Sequence, residues 1–268
     1  SSGQLGDGTT TDRPAPVTVT GLSGVTALAA GDEFTCAIAD GTVSCWGANT
    51  AGQLGNATTA SSTTPVAVPG LADVTGIAAG LEHACAVAAG GTVSCWGAGA
   101  AGQLGNGTAT DSSSPVPVAG LTGATAVAAG EFTTCAVNGV GLSCWGGNSE
   151  GQLGDDTTTD STVPVTFAGS AGATDVSVGA FHVCVTVGGT VRCAGSDQQG
   201  ELGAGPGAGP GPVDTGIADA TGALVAGQSH TCVLRSGAHP WCWGANPVGQ
   251  LGDGSTEDQP QPVQVSGL

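Results

Sequence analysis

Apolar positions along this chain alternate with polar ones in short runs, and glycine-bearing turns separate the runs. One run reads Val25-Thr-Ala-Leu-Ala-Ala-Gly31 and returns at Val74 to Gly80, Ala124 to Gly130, Val176 to Gly179 and Leu224 to Gly227. A hairpin pattern follows it, as in Thr35-Cys-Ala-Ile-Ala-Asp-Gly-Thr-Val-Ser-Cys-Trp-Gly47, two alternating stretches about a Gly-containing turn. Each period also carries a Pro-Val segment, at Pro16, Pro65, Pro115, Pro164, Pro212 and Pro262, which reads as an edge strand because proline leaves no ladder partner orphaned there. The pattern therefore predicts four strands per period and no helix.

The period is marked by Gly-Gln-Leu-Gly, beginning at Gly3, Gly52, Gly102, Gly151, Gly200 and Gly249, with Glu201 replacing Gln in the fifth copy. A repeat of this length built from strands predicts an all-β propeller of four-stranded blades, since one such sheet cannot bury both faces alone. We divide residues 1–268, read as a single repeat array, into blades at 25–68, 74–118, 124–167, 173–215 and 221–265, with 1–22 an extra partial repeat holding one further strand at Pro16 to Thr20.

The ten cysteines fall into five pairs: Cys36 with Cys45, Cys85 with Cys95, Cys135 with Cys144, Cys184 with Cys193, and Cys232 with Cys242. A two-residue turn at Asp40-Gly41 or Gly188-Gly189 sets the paired cysteines opposite one another, within disulfide range. Zinc is the rival reading, but no Cys-x-x-Cys occurs and each pair would need two more ligands. Five intrablade disulfides place the chain in an oxidising compartment, outside the cell or on its surface. The absence of methionine makes Ser1 a processed or internal start, and no apolar run nears the roughly 20 residues of a membrane span. Asn56 and Asn106 begin glycosylation sequons.

Three Arg and no Lys stand against 21 Asp plus Glu, a formal net charge of −18. Nucleic acid and anionic membranes are excluded as partners, because binding would lack its main attractive term. Solvation by charges of one sign accounts for much of this acidity.

The motifs Ala-Ala-Gly-x-x-His-x-Cys-Ala-Val, Gly-Thr-Val-x-Cys-Trp-Gly-x-Asn and Gly-Gln-Leu-Gly together resemble the repeat of the regulator of chromosome condensation family. The resemblance covers essentially the whole chain. It implies a β-propeller, usually of seven blades, serving as a protein-interaction platform. Family members include an exchange factor for a small GTPase and bacterial inhibitors of β-lactamases; the chromatin contact that goes with exchange conflicts with this chain's acidity. Only five complete strand sets are present, so the chain reads either as a five-bladed ring or as a segment of a longer array, whose open edges permit self-association.

No catalytic constellation emerges. Asp32, Glu33, Glu82 and Glu131 lack a nucleophile-base motif to accompany them, and His83, His182 and His230 share one register, two before a cysteine, where a backbone-capping role suffices. An enzyme is not expected, nor is a cofactor. The acid-bearing loops from Asp7, Asp155 and Asp253 gather oxygens of the kind calcium accepts, yet Asx turns explain them without metal.

The residues after each Ala-Gly or its equivalent connect the innermost strand to the next and must gather at one end of the axis. Asp32, Glu33, Phe34, Leu81, Glu82, Glu131, Phe132, Phe181 and Gln228 occupy these loops and form the candidate partner-binding face. Aromatic residues ringed by charge are common at binding surfaces. Tryptophan follows the second cysteine at Trp46, Trp96, Trp145 and Trp243, where it packs between blades; the fourth blade has Ala194 instead and should be the most loosely packed. Its Gly/Pro loop, residues 203–212, is a second candidate partner site. The sequence thus points to an extracellular or cell-surface protein-interaction module of unknown partner. A building block of a surface assembly and a glycan-binding module are the alternatives.

Overall fold

The structure, a computed structural model, describes residues 2–205, 211–237 and 239–267. Five antiparallel sheets of four strands follow one another along the chain. The first holds β1 (Val25–Ala30), β2 (Phe34–Ala39), β3 (Thr42–Gly47) and β4 (Ser62–Ala67). The second holds β5 (Val74–Ala79), β6 (His83–Ala88), β7 (Val93–Gly97) and β8 (Ser112–Pro117), the third β9 (Ala126–Ala129), β10 (Thr133–Asn138), β11 (Gly141–Gly146) and β12 (Ser161–Thr166). The fourth holds β13 (Ala173–Val178), β14 (His182–Val187), β15 (Thr190–Gly195) and β16 (Val213–Asp214). The fifth holds β17 (Ala220–Ala226), β18 (His230–Arg235), β19 (Pro240–Gly244) and β20 (Gln259–Gln264).

The hairpins take the register that their turns dictate. Asp40 and Gly41 both have positive φ, 49° and 72°, as a tight two-residue hairpin turn requires, and Cys36 lies opposite Cys45. The same opposition brings Cys85 to Cys95, Cys135 to Cys144, Cys184 to Cys193 and Cys232 to Cys242. All five pairs expected from the sequence are bonded across the ladder, with Cα atoms 4.0 to 4.1 Å apart. With every cysteine so consumed, no thiolate is left to ligate zinc. The bridges are core material: Cys36, Cys45, Phe34 and Ile38 of the first sheet pack with Ala84, Ala86 and Trp96 of the second in one buried cluster. Cys95, Cys144 and Cys193 are likewise fully buried, and Cys242 nearly so, each in the third strand of its sheet.

First strands line the axis, with β1 against β5, β5 against β9, β9 against β13 and β13 against β17. The glycine closing each first strand permits this. A methyl group on Gly80 would strike the carbonyl oxygen of Gly130, and one on Gly130 the carbonyl oxygen of Gly179, so only glycine allows backbone to meet backbone at the axis.

The array is open at both ends. Leu28 on the leading face is 66% exposed and Val225 on the trailing sheet 54% exposed. Leu234 is 36% exposed, whereas its counterparts Ile38, Val87 and Val137 are at most 4% exposed beneath the next sheet. The segment expected as a further strand, Pro16 to Thr20, has no strand among its residues. A fourth strand forms by pairing with a third, and β3, β7, β11, β15 and β19 already hold β4, β8, β12, β16 and β20.

Candidate functional site

The loops after the first strands converge, as their place in each sheet requires. They rim an axial cavity of about 440 Å³ lined by Asp32, Leu81, Glu131, Ala180 and Gln228 above the glycines. Backbone bonds stitch neighbouring loops, from Asp32 N to Leu81 O and from Ala180 N to Gln228 O. The Gln228 amide reaches Glu131 at 3.5 Å, and the Ser2 hydroxyl donates to Glu33 at 2.9 Å.

Asp32, Glu33, Glu82, Phe132, Phe181 and Gln228 are exposed, and Leu81 and Glu131 are half-buried. Phe132 and Phe181, from adjacent sheets, meet with ring centroids 6.5 Å apart. Phe34 departs from expectation. It is 1% exposed, its ring against Gly31 in the same buried cluster as Ala84, so it belongs to the core and not to the surface.

Phe34 occupies the histidine register, and the structure gives that register a meaning the sequence reading missed. His83 is fully buried, and its Nε2 lies 2.8 Å from the Thr134 hydroxyl of the next sheet. Thr134 donates onward to the Gln103 carbonyl, so Nε2 carries the proton and donates to Thr134. Nδ1 has no partner among the described residues. His182 repeats the contact with Thr231 at 2.8 Å. These histidines therefore tie one sheet to the next; they do not cap backbone. Burial holds both at about 4, below the ordinary histidine value, and it also lowers His230. A signal was available: each histidine that has a following repeat is followed there by a Thr just before the first cysteine, whereas Phe34 and Thr133 are followed by Ala84 and Val183.

The Gly-Gln-Leu-Gly signature is the second tie. In each copy the Gln or Glu side chain folds back to accept a backbone N–H two residues earlier, as from Ala51 N to Gln53 and from Gln199 N to Glu201. That leaves its carbonyl pointing at the next sheet. Trp46, Trp96, Trp145 and Trp243 donate their indole N–H to the carbonyls of Gln4, Gln53, Gln103 and Glu201 at 2.8 to 2.9 Å. Burial raises the pKa of Glu201, the one carboxylate among these side chains.

The fourth blade is not loose where its tryptophan is missing. Ala194 is fully buried, and Phe167 packs against Gly154 in the place that a tryptophan takes against Gly55, Gly105 and Gly203. Half of its Gly/Pro loop, the second candidate partner site, lies outside the described residues, at 206–210. Buried asparagines, Asn148 and Asn246, organise the acid-bearing loops from Asp155 and Asp253, whereas Asp7 accepts from Thr9 and Arg13. Asn148 donates to Asp155, Thr157 and the Thr159 carbonyl, and Asp155 also takes the Thr157 N–H and hydroxyl. Among the described residues no three His, Cys, Asp or Glu are grouped to hold a metal, and no helix is long and apolar enough to cross a membrane.

Residues 1–268 match the RCC1-like domain as a whole. The chain belongs to that family. None of the curated proteins matches it in sequence. Among solved structures, human WBSCR16 is 27% identical with a TM-score of 0.79, the match covering 91% of this chain and 67% of that one. Prp20p from Saccharomyces cerevisiae is 22% identical with a TM-score of 0.77, covering 91% and 63%. The CRINKLY WD40 ectodomain of the Arabidopsis thaliana receptor kinase ACR4 is 20% identical with a TM-score of 0.53, covering 92% and 69%. This RCC1-like array thus spans about two thirds of the length of the propellers it matches, in keeping with its open ends.

Proposed function

We propose that this RCC1-like array is a protein-recognition module, extracellular or surface-displayed, that binds its partner through the loops rimming the axial cavity. One observation carries the reading: Phe132 and Phe181 are 37% and 38% exposed, side by side, on loops that vary while the framework beneath them repeats. Paired exposed aromatics supply large contact area at small entropic cost, the makings of an interface anchor. Five disulfides support an oxidising location. Related folds lend analogy: Prp20p has been studied for binding to Gsp1p and histones, and the ACR4 domain is the ectodomain of a receptor kinase.

The test is the combined change of Glu82, Glu131, Phe132 and Phe181 to Ala in the oxidised protein. Binding to the captured native partner should vanish while the disulfides and melting temperature persist. Retained binding would place the interface elsewhere.

A second reading, a building block of a surface assembly, is favoured by the exposed apolar residues of the end faces, Leu28, Val225 and Leu234. It requires concentration-dependent self-association, which sedimentation velocity reads directly.

A further inference from the structure

The loop face is divided in its chemistry. At the second residue after the axial glycine, next to the residues that line the cavity, the successive sheets carry Glu33, Glu82, Phe132, Phe181 and Ser229, so the loop face presents exposed glutamates on one side and an aromatic step on the next. Asp32 and Glu131 add carboxylates nearer the axis. Among the described residues no cation lines this cavity, and the three arginines of the chain are engaged elsewhere. Arg13 pairs with Asp7 in the N-terminal segment. Arg235 pairs with Asp219 and lies 4.5 Å over Trp241, near the hairpin turn at the opposite end of its blade. Arg192 reaches the Gly169 carbonyl at 3.5 Å.

We infer that the partner docks a segment bearing a lysine or arginine next to an apolar side chain, the cation toward Glu33, Glu82 and Glu131 and the apolar group on the Phe132–Phe181 step. This rests on the loop-face reading above. Its own ground is charge complementarity. A cavity lined by Asp32 and Glu131 and by no cation, with Glu33 and Glu82 exposed on the same loops, in a chain of net charge −18, attracts basic segments and repels acidic ones over the last nanometre of approach. A cation passing the exposed ring faces gains a further attraction that a neutral side chain lacks. Ala30, Ala79, Ala129 and Ala226 give the cavity small side chains, so a long basic side chain can enter with its alkyl stem against Ala180 and the Leu81 side.

The experiment is selection from a random peptide display library on the full oxidised chain, followed by synthesis of the enriched peptides. Enrichment of Lys or Arg beside an apolar residue is expected. Binding of such a peptide should weaken roughly tenfold or more in E33Q/E82Q/E131Q, and likewise on raising the salt well above physiological strength. F132A/F181A should weaken it comparably. These variants, all at loop positions outside the strands, should keep the wild-type melting temperature, which separates lost binding from lost fold. Peptides that need Phe132 and Phe181 but show no basic enrichment overturn the charge inference and leave the loop-face reading standing. Basic peptides indifferent to F132A/F181A overturn the loop-face reading, and a selection with no binder above an unrelated acidic control protein overturns both.

Discussion

Phe167 stands over Gly154 in the space that tryptophan fills in the four other blades, and the tryptophan position it serves, on the neighbouring sheet, is Ala194. Both residues are fully buried in one cluster with Leu153. Most equivalents of Phe167 are valines, Val68 and Val118 among them, with Thr215 in the fourth blade, so the large residue has moved from one sheet to its neighbour and the junction stays filled.

Phe167→Val should therefore destabilise the protein by about 2 to 3 kcal/mol, because the cavity left over Gly154 has no tryptophan to fill it. Ala194→Trp alone should overpack the junction. The double variant should recover most of the loss, which denaturant unfolding with disulfides intact reads as positive coupling between the sites.

Thr134→Val tests the tie between the second and third sheets. The change is close to isosteric, but it strips a buried His83 N–H and the Gln103 carbonyl of their shared partner, at a cost of roughly 2 kcal/mol. Thr35→Val should cost less. Thr35 donates to the Gln4 carbonyl, but it is only half-buried and has no histidine against it. Melting temperatures of the two variants decide the matter.

Acid should loosen the same junctions. His83 and His182 titrate at about 4 in the fold and near ~6.5 in the unfolded chain, so on acidification the unfolded chain takes up protons first. Their contribution is complete above pH ~6.5 and is lost as pH falls toward 4, by roughly 3 kcal/mol for each histidine as an order of magnitude. A melting-temperature profile across that window should fall steeply for the native chain and less so for H83Q/H182Q. Equal slopes would contradict the assignment.

Much of this was legible because the repeat is local and turns fix register. Asp40-Gly41 alone predicts that Cys36 faces Cys45, and the recurrence of Ala-Gly predicts that Asp32, Leu81, Glu131 and Gln228 gather at the axis. What escaped depends on contacts between repeats. Phe34 and Phe132 stand one register position apart, on loops that look alike in sequence, yet one ring turns into the junction and the other outward. His83 finds its partner 51 residues away, and the compensation of Ala194 by Phe167 crosses a sheet boundary. Strand periodicity carries no information on which neighbour a side chain meets across the gap between blades.

The claim that the loop face is where this protein meets its partner is tested most directly by position-specific crosslinking. A photoreactive phenylalanine analogue is placed either at Phe132, on the rim, or at Val140, 75% exposed on the hairpin turn at the other end of the same blade. Irradiation of the oxidised protein in its native surroundings should give a discrete adduct from position 132 and none from position 140. An adduct from position 140, or none from position 132 while the partner still co-purifies, would contradict the account.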